Sequence, residues 1–159
     1  MTITIRPATR DDVPLILRFV RELAEFEREP DAVEATEVML THALFEEKAA
    51  EAVIAERDGV AVGFAVFFHN FSTWTGRKGL YLEDLYVTPG ARGSGVGTAL
   101  LRHLAALAMT RDCARFEWAV LDWNQPAIDF YTAMGAETMG DWRIERVAGK
   151  ALARLAGRA

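Results

Sequence analysis

Three glycines fall within five residues, Gly93, Gly95 and Gly97, where an apolar strand-like stretch gives way to an apolar helical one. Glycine removes the side chains that keep a ligand from the backbone, so several amides can converge on one concavity. The positive end of the helix that follows adds to an anion site there. A strand, a glycine loop and a helix in this order make an α/β unit, and a phosphate or pyrophosphate is the natural guest of such a loop. The plainer alternative is a tight turn that only needs glycine. A triphosphate loop requires Lys-Ser or Lys-Thr after its last glycine, whereas Thr98-Ala99 follows here. A dinucleotide fingerprint requires G-x-G-x-x-G, and the spacing is G-x-G-x-G, with Asp122 later than that fingerprint places its acid.

The rest of the chain builds around that unit. Residues 2–7 alternate and end in Pro7, as a short first strand does. Thr9 with Asp12 forms a capping box, while Asp11 as cap would leave Pro14 in the tolerant first turn; both remain open. Val13, Ile16, Val20, Leu23 and Glu27 recur at helical spacing. A second helix is expected over 36–47, with Val38, Met39, Ala43 and Leu44 inward. Residues 52–57 and 60–68 flank Asp58-Gly59, a hairpin signal. A loop over 70–79 leads to a strand over 80–88, ended by Pro89-Gly90. The helix opened by the glycines runs to about Met109. Then come a buried strand over 115–121, a helix from the Asn124 cap to Met134 with Gly135 as its C′ residue, a last strand over 142–147, and a short helix over 150–155. The order β-α-α-β-β-β-α-β-α-β, without repeat or linker, implies one mixed α/β domain over 1–159.

Composition removes several classes. The 159 residues are 51% hydrophobic, enough for a core, so disorder is excluded. A net charge of -5 argues against nucleic acid, which requires a basic stripe. No apolar run reaches membrane-spanning length, and 1–13 lacks a secretory pattern, so the expectation is a cytoplasmic chain with no membrane partner. Cys113 is the single cysteine and reads as a small hydrophobe. His42, His69 and His103 are scattered without ligand spacing, so no metal site is expected.

R-x-x-G-x-G after a strand ending in Val87 resembles the acetyl-coenzyme A loop of the GNAT N-acyltransferases. The resemblance runs through the IRPATRDD opening, the hairpin, YLEDLYV, the loop, and Trp123-Asn124-Gln125-Pro126 with Phe130-Tyr131. YLEDLYV and AVLDWNQPAIDFY are similar to the branch holding the diamine (spermidine/spermine) and thialysine N-acetyltransferases. The resemblance implies a GNAT-type α/β fold: a mixed, mostly antiparallel sheet flanked by helices, with splayed central strands. It also implies acetyl-CoA as co-substrate and a homodimer. Gly93, Ser94, Gly95, Val96, Gly97 and Thr98 would cradle the pyrophosphate, with Arg92 opening the loop. Leu85, Tyr86 and Val87 would pair with the pantetheine arm, whose amides imitate a strand. Asn124, Gln125, Pro126 and Ala127 would line its far side.

Acyl transfer to an amine needs a neutral nucleophile, a stabilised oxyanion and a proton for the leaving thiolate. Glu83 and Asp84 interrupt an apolar strand. Strict alternation sends Glu83 to the face of Tyr81 and Leu85, and Asp84 to that of Leu82 and Tyr86. An edge strand with one wet face would explain the pair without chemistry. The resemblance implies that Glu83 accepts the amine proton through water, that Asp84 helps hold the ammonium, and that Tyr131 protonates the CoA thiolate. Spacing alone makes Tyr131 a core tyrosine with a wet hydroxyl. Glu22, Glu25, Glu27, Glu29 and Asp31 read as a solvated acidic helix end; the resemblance puts Phe26 and Glu27 at the amine pocket, and Glu117 and Trp118 near substrate. Where the polyamine enzymes carry Asp-Pro-Trp, this chain has Ser72-Thr73-Trp74. Losing that acid favours a small amine such as thialysine or a lysine-like amino acid, with a diamine or polyamine as alternative. A non-catalytic acyl-CoA sensor would need neither Glu83 nor Tyr131.

Overall fold

A computed structural model describes residues 1–158. The chain divides into two compact units, Met1–Leu121 and the remainder from Asp122 onward. The first holds a five-stranded sheet in chain order: β1 (Ile3–Pro7), β2 (Glu51–Arg57), β3 (Val60–Ser72), β4 (Arg77–Val87) and β5 (Phe116–Trp118). The first four pair antiparallel, and β5 lies parallel to β4. This is the mixed, mostly antiparallel sheet expected.

Helices cover both faces. The first turn is a 3-10 segment, Arg10–Asp12, leading into α1 (Val13–Phe26). Of the two candidate caps, Thr9 with Asp12 prevails: Asp12 Oδ2 accepts the Thr9 N–H at 2.7 Å. Arg6 grips the same carboxylate at 2.8 and 2.9 Å and also bonds Glu56, which holds Asp12 down to about 2. Ile16 and Phe19 of α1 are fully buried over the row Ile54–Phe64–Tyr86, which is in register across β2, β3 and β4. Phe19 meets the rings of Phe64 at 5.5 Å and Tyr86 at 5.7 Å. Burial of such a side chain contributes about 1.5–3 kcal/mol. On the other face lies α3 (Val96–Thr110), with Leu100, Leu101 and Leu104 buried.

Several boundaries differ from the sequence expectations. The second helix is short, α2 (Glu37–Thr41), and continues as a π turn, His42–Glu46. Leu44, in the π turn, is buried as expected, but Val38 and Met39, in the α-helical part before it, are exposed. The loop expected over 70–79 is mostly hairpin, because Asn70, Phe71 and Ser72 pair with Gly79, Lys78 and Arg77. β5 is only three half-buried residues, not a buried strand over 115–121.

In the second unit, α4 (Gln125–Ala133) starts at Asn124, whose Oδ1 accepts the Ala127 N–H at 3.3 Å. It ends at Gly135, left-handed at φ +98°, with Ala136 N–H bonded to the Tyr131 carbonyl. Residues 142–147, expected as a last strand, have no strand assignment; their alternation alone supplies no ladder. The tail forms α5 (Gly149–Leu155), close to the helix expected.

Candidate active site

The sheet opens where β4 and β5 part. Their parallel register covers only Leu80–Phe116, Tyr81–Glu117 and Leu82–Trp118, while β4 runs on to Val87 beside β3 alone. At that parting β4 carries a bulge: Phe67 pairs with Leu82 and Val66 with Asp84, so Glu83 is an extra residue. The bulge overturns the strict alternation expected of this strand. Phe68 and Tyr81 stack at 5.1 Å on the α1 side, Phe67 with Leu82 lies on the α3 side, and Val66 with Asp84 returns to the α1 side. Asp84 therefore shares a face with Tyr86 but not with Leu82.

The bulge also switches the backbone. Leu80 N–H donates outward, to the Arg115 carbonyl at 2.9 Å, whereas Thr88 N–H donates inward, to the Val62 carbonyl at 2.8 Å. Counting back by twos, Tyr86 turns its polar groups to β3, and Leu85 and Val87 turn theirs to the open edge. A ligand with peptide-like amides would meet Leu85 and Val87, with Tyr86 facing the core.

Three carboxylates gather beside the bulge. Burial pushes Asp84 up to about 6, and the charges of Glu83 and Glu27 add to it. Glu27, at the end of α1, is raised by its burial and by Glu83. Tyr81 is raised by burial, with Glu83 and Glu117 contributing. Such a cluster is costly unless a cation joins it. α1 ends here because Arg28 is left-handed at φ +65° and Glu29 N–H reaches back to the Ala24 carbonyl at 2.9 Å. That cap leaves Glu27 beside Glu83 and Asp84.

The loop after β4 presents backbone amides at the start of α3. Gly93 and Gly95 adopt φ +76° and +92°, which side-chain-bearing residues rarely take. The first bond of α3 runs from Ala99 N–H to the Gly95 carbonyl, so the amides of Val96, Gly97 and Thr98 precede the helical ladder. Ser94 Oγ donates to the Ala91 carbonyl at 2.6 Å. Arg57 approaches Ser94 Oγ at 3.4 Å and the Gly90 carbonyl at 3.5 Å. Sequence reasoning missed Arg57, whose one signal is its place at the β2 end beside the Asp58-Gly59 turn.

Arg92 is turned elsewhere. Its Nε donates to the Val87 carbonyl at 2.9 Å, and its guanidinium lies 4.9 Å from the Phe26 ring and 5.6 Å from the Tyr86 ring. Glu117 and Trp118 sit in β5 opposite Tyr81 and Leu82, with Trp118 against Phe116 at 4.9 Å. In the second unit, Gln125 and Pro126 form the first turn of α4, Gln125 bonds Asp129 at 2.7 Å, and Tyr131 lies 5.5 Å from Phe130.

The chain is similar to known proteins in sequence and in fold. The sequence pattern of the acetyltransferase (GNAT) family matches residues 16–136. A thialysine N-epsilon-acetyltransferase of Sus scrofa is 37% identical over 99% of each chain. An L-ornithine N5-acetyltransferase of Arabidopsis thaliana is 30% identical over 93% of this chain and 85% of its own. An integron cassette protein from the mobile metagenome of V. cholerae superposes with a TM-score of 0.80 at 28% identity, over 98% of both chains. With more than half its length inside the family pattern and end-to-end relatives above 30% identity, the chain belongs to the acetyltransferase (GNAT) family.

Proposed function

We propose that the chain transfers the acetyl group of acetyl-CoA to the side-chain amine of thialysine or a related lysine-like amino acid. The observation that carries this reading is the grouping of Glu27, Glu83 and Asp84 on one side of the β4 bulge, where an ammonium would relieve their mutual repulsion. The relatives that act on thialysine and on L-ornithine support an amino acid with a terminal amine.

In this reading the glycine loop holds the pyrophosphate, and the backbone of Leu85 and Val87 pairs with the pantetheine arm. Asp84 and Glu27 hold the ammonium. Glu83 takes its proton through water, and the freed nitrogen lone pair attacks the thioester carbonyl. A backbone N–H near Leu85 stabilises the oxyanion. The C–S bond then breaks, and Tyr131 gives its hydroxyl proton to the departing thiolate. Asn124, Gln125, Pro126 and Ala127 are assigned the far side of the pantetheine, and Glu117 and Trp118 the substrate surroundings. Catalysis needs no metal. The same reading makes the chain a cytoplasmic homodimer.

The test is CoA release from acetyl-CoA across a panel of amines. Thialysine is expected to show a higher kcat/KM than spermidine, and Ser72→Asp to move the ratio toward polyamines. A clear preference of the wild-type protein for spermidine overturns the substrate assignment. No transfer to any amine overturns the activity itself.

A further inference from the structure

The residue that opens the glycine loop is committed to the other side of the site. Arg92 combines one hydrogen bond, Nε to the Val87 carbonyl, with two ring contacts, to Phe26 at the end of α1 and to Tyr86 in β4. Burial raises the Tyr86 phenol, Glu22, one turn before Phe26, adds to that rise and Arg92 opposes it, so a charge of each sign flanks that hydroxyl. The planar guanidinium thus joins three pieces of backbone: the last turn of α1, the end of β4 and the first residue of the anion loop. Phe26 directly precedes Glu27, one of the three clustered carboxylates.

We infer that Arg92 is a positioning residue that mechanically couples the two substrate sites, so that ordering the loop around the cofactor also sets the α1 end that carries Glu27. The inference rests on the proposed amine-acetyltransferase reading. Its physical basis is shared ordering: the site that binds first fixes a joint that the second then need not fix. Stacking requires the flat, delocalised guanidinium, so a lysine keeps the charge and loses the joint.

The experiment measures CoA affinity by calorimetry with and without saturating thialysine, for wild type, Arg92→Lys, Phe26→Leu and the double variant. In the wild-type protein thialysine is expected to tighten CoA binding about fivefold or more. Arg92→Lys and Phe26→Leu are each expected to reduce that factor to about one, measured at a thialysine concentration that saturates the variant itself. The double variant is expected to lose no more than either single one, since both remove the same contact. Phe26 and Arg92 are both outside the buried core, and circular dichroism is the check that each variant folds. An unchanged coupling factor in Phe26→Leu, additive losses in the double variant, or a wild-type factor of one overturns the inference. So does a variant that weakens CoA binding without amine while coupling stays intact, for Arg92 would then be a phosphate ligand. Acetyl transfer by the wild-type protein is checked first: its failure sinks the functional reading and this inference together, whereas transfer with unaltered coupling sinks the inference alone.

Discussion

Asp84 binds its proton more tightly in the folded protein than a free aspartate does, because burial and two neighbouring carboxylates oppose its ionisation. Between the ordinary value of 3.8 and about 6 the folded state therefore carries a proton that the unfolded state has lost. By linkage, that group makes stability fall as pH rises across this window, with the full cost present above it. Asp84→Asn is expected to flatten the slope between about pH 4 and 6 and to raise stability at pH 7 by on the order of 1 kcal/mol, read from urea midpoints. The same variant should raise the KM for the amine. Asp12 works in the opposite sense, losing its contribution as pH falls toward about 2, so the two titrations separate on the acid limb. Tyr131→Phe is expected to lower kcat by about 10²-fold with acetyl-CoA, and by much less with an acyl donor whose thiol is acidic, as stopped-flow turnover would report. Unchanged kcat with chemistry rate-limiting excludes the acid role. The adjacent acids of the YLEDLYV strand were legible as unusual in the sequence. Their shared surroundings were not, because a single extra residue in the pairing shifts the phase of everything beyond it.

Among the elements, the hairpin of β3 and β4 leaves least room for change. A Cβ on Gly63 would lie 2.7 Å from the Tyr86 carbonyl oxygen, a backbone atom that cannot step aside cheaply. Gly63→Ala is expected to cost about 1–3 kcal/mol, seen as a lower urea midpoint at unchanged slope, because it forces β3 and β4 apart next to the buried row under Phe19. The elements with a strong period or a dedicated local signal were readable in advance: α1 and α3 from their apolar stripes, the Asp58-Gly59 turn with φ +52° and +80°, and α4 between Asn124 and Gly135. Those defined by partners were not. The far end of the β3–β4 hairpin looks like loop because Asn70, Lys78 and Gly79 favour turns, yet cross-strand pairing orders it. Conversely, 142–147 alternates like a strand but has no strand assignment. The π turn after α2 likewise leaves no mark in a pattern read at 3.6 residues per turn.

At the scale of the whole molecule, a net charge of -5 and the cluster of Glu27, Glu83 and Asp84 act in the same direction on any cation. Electrostatic steering of this kind weakens as the Debye length shrinks, to about 10 Å at 0.1 M salt. The kcat/KM for a monocationic amine is expected to fall several-fold between about 0.02 and 0.3 M salt, while kcat holds nearly constant; a flat kcat/KM would mean that the clustered carboxylates do not draw substrate in. The parting of β4 from β5 after Leu82 has a further consequence. On the proposed reading the cofactor completes the sheet, so its free concentration sets how much protein survives as well as how fast it turns over. At a hundred times the dissociation constant, such a ligand adds about 2.7 kcal/mol to stability. Without it the edge of β4 at Leu85 is open to pairing with other chains. A cell short of acetyl-CoA would then hold fewer copies of the enzyme, lost to proteolysis and clumping, before any single copy slowed.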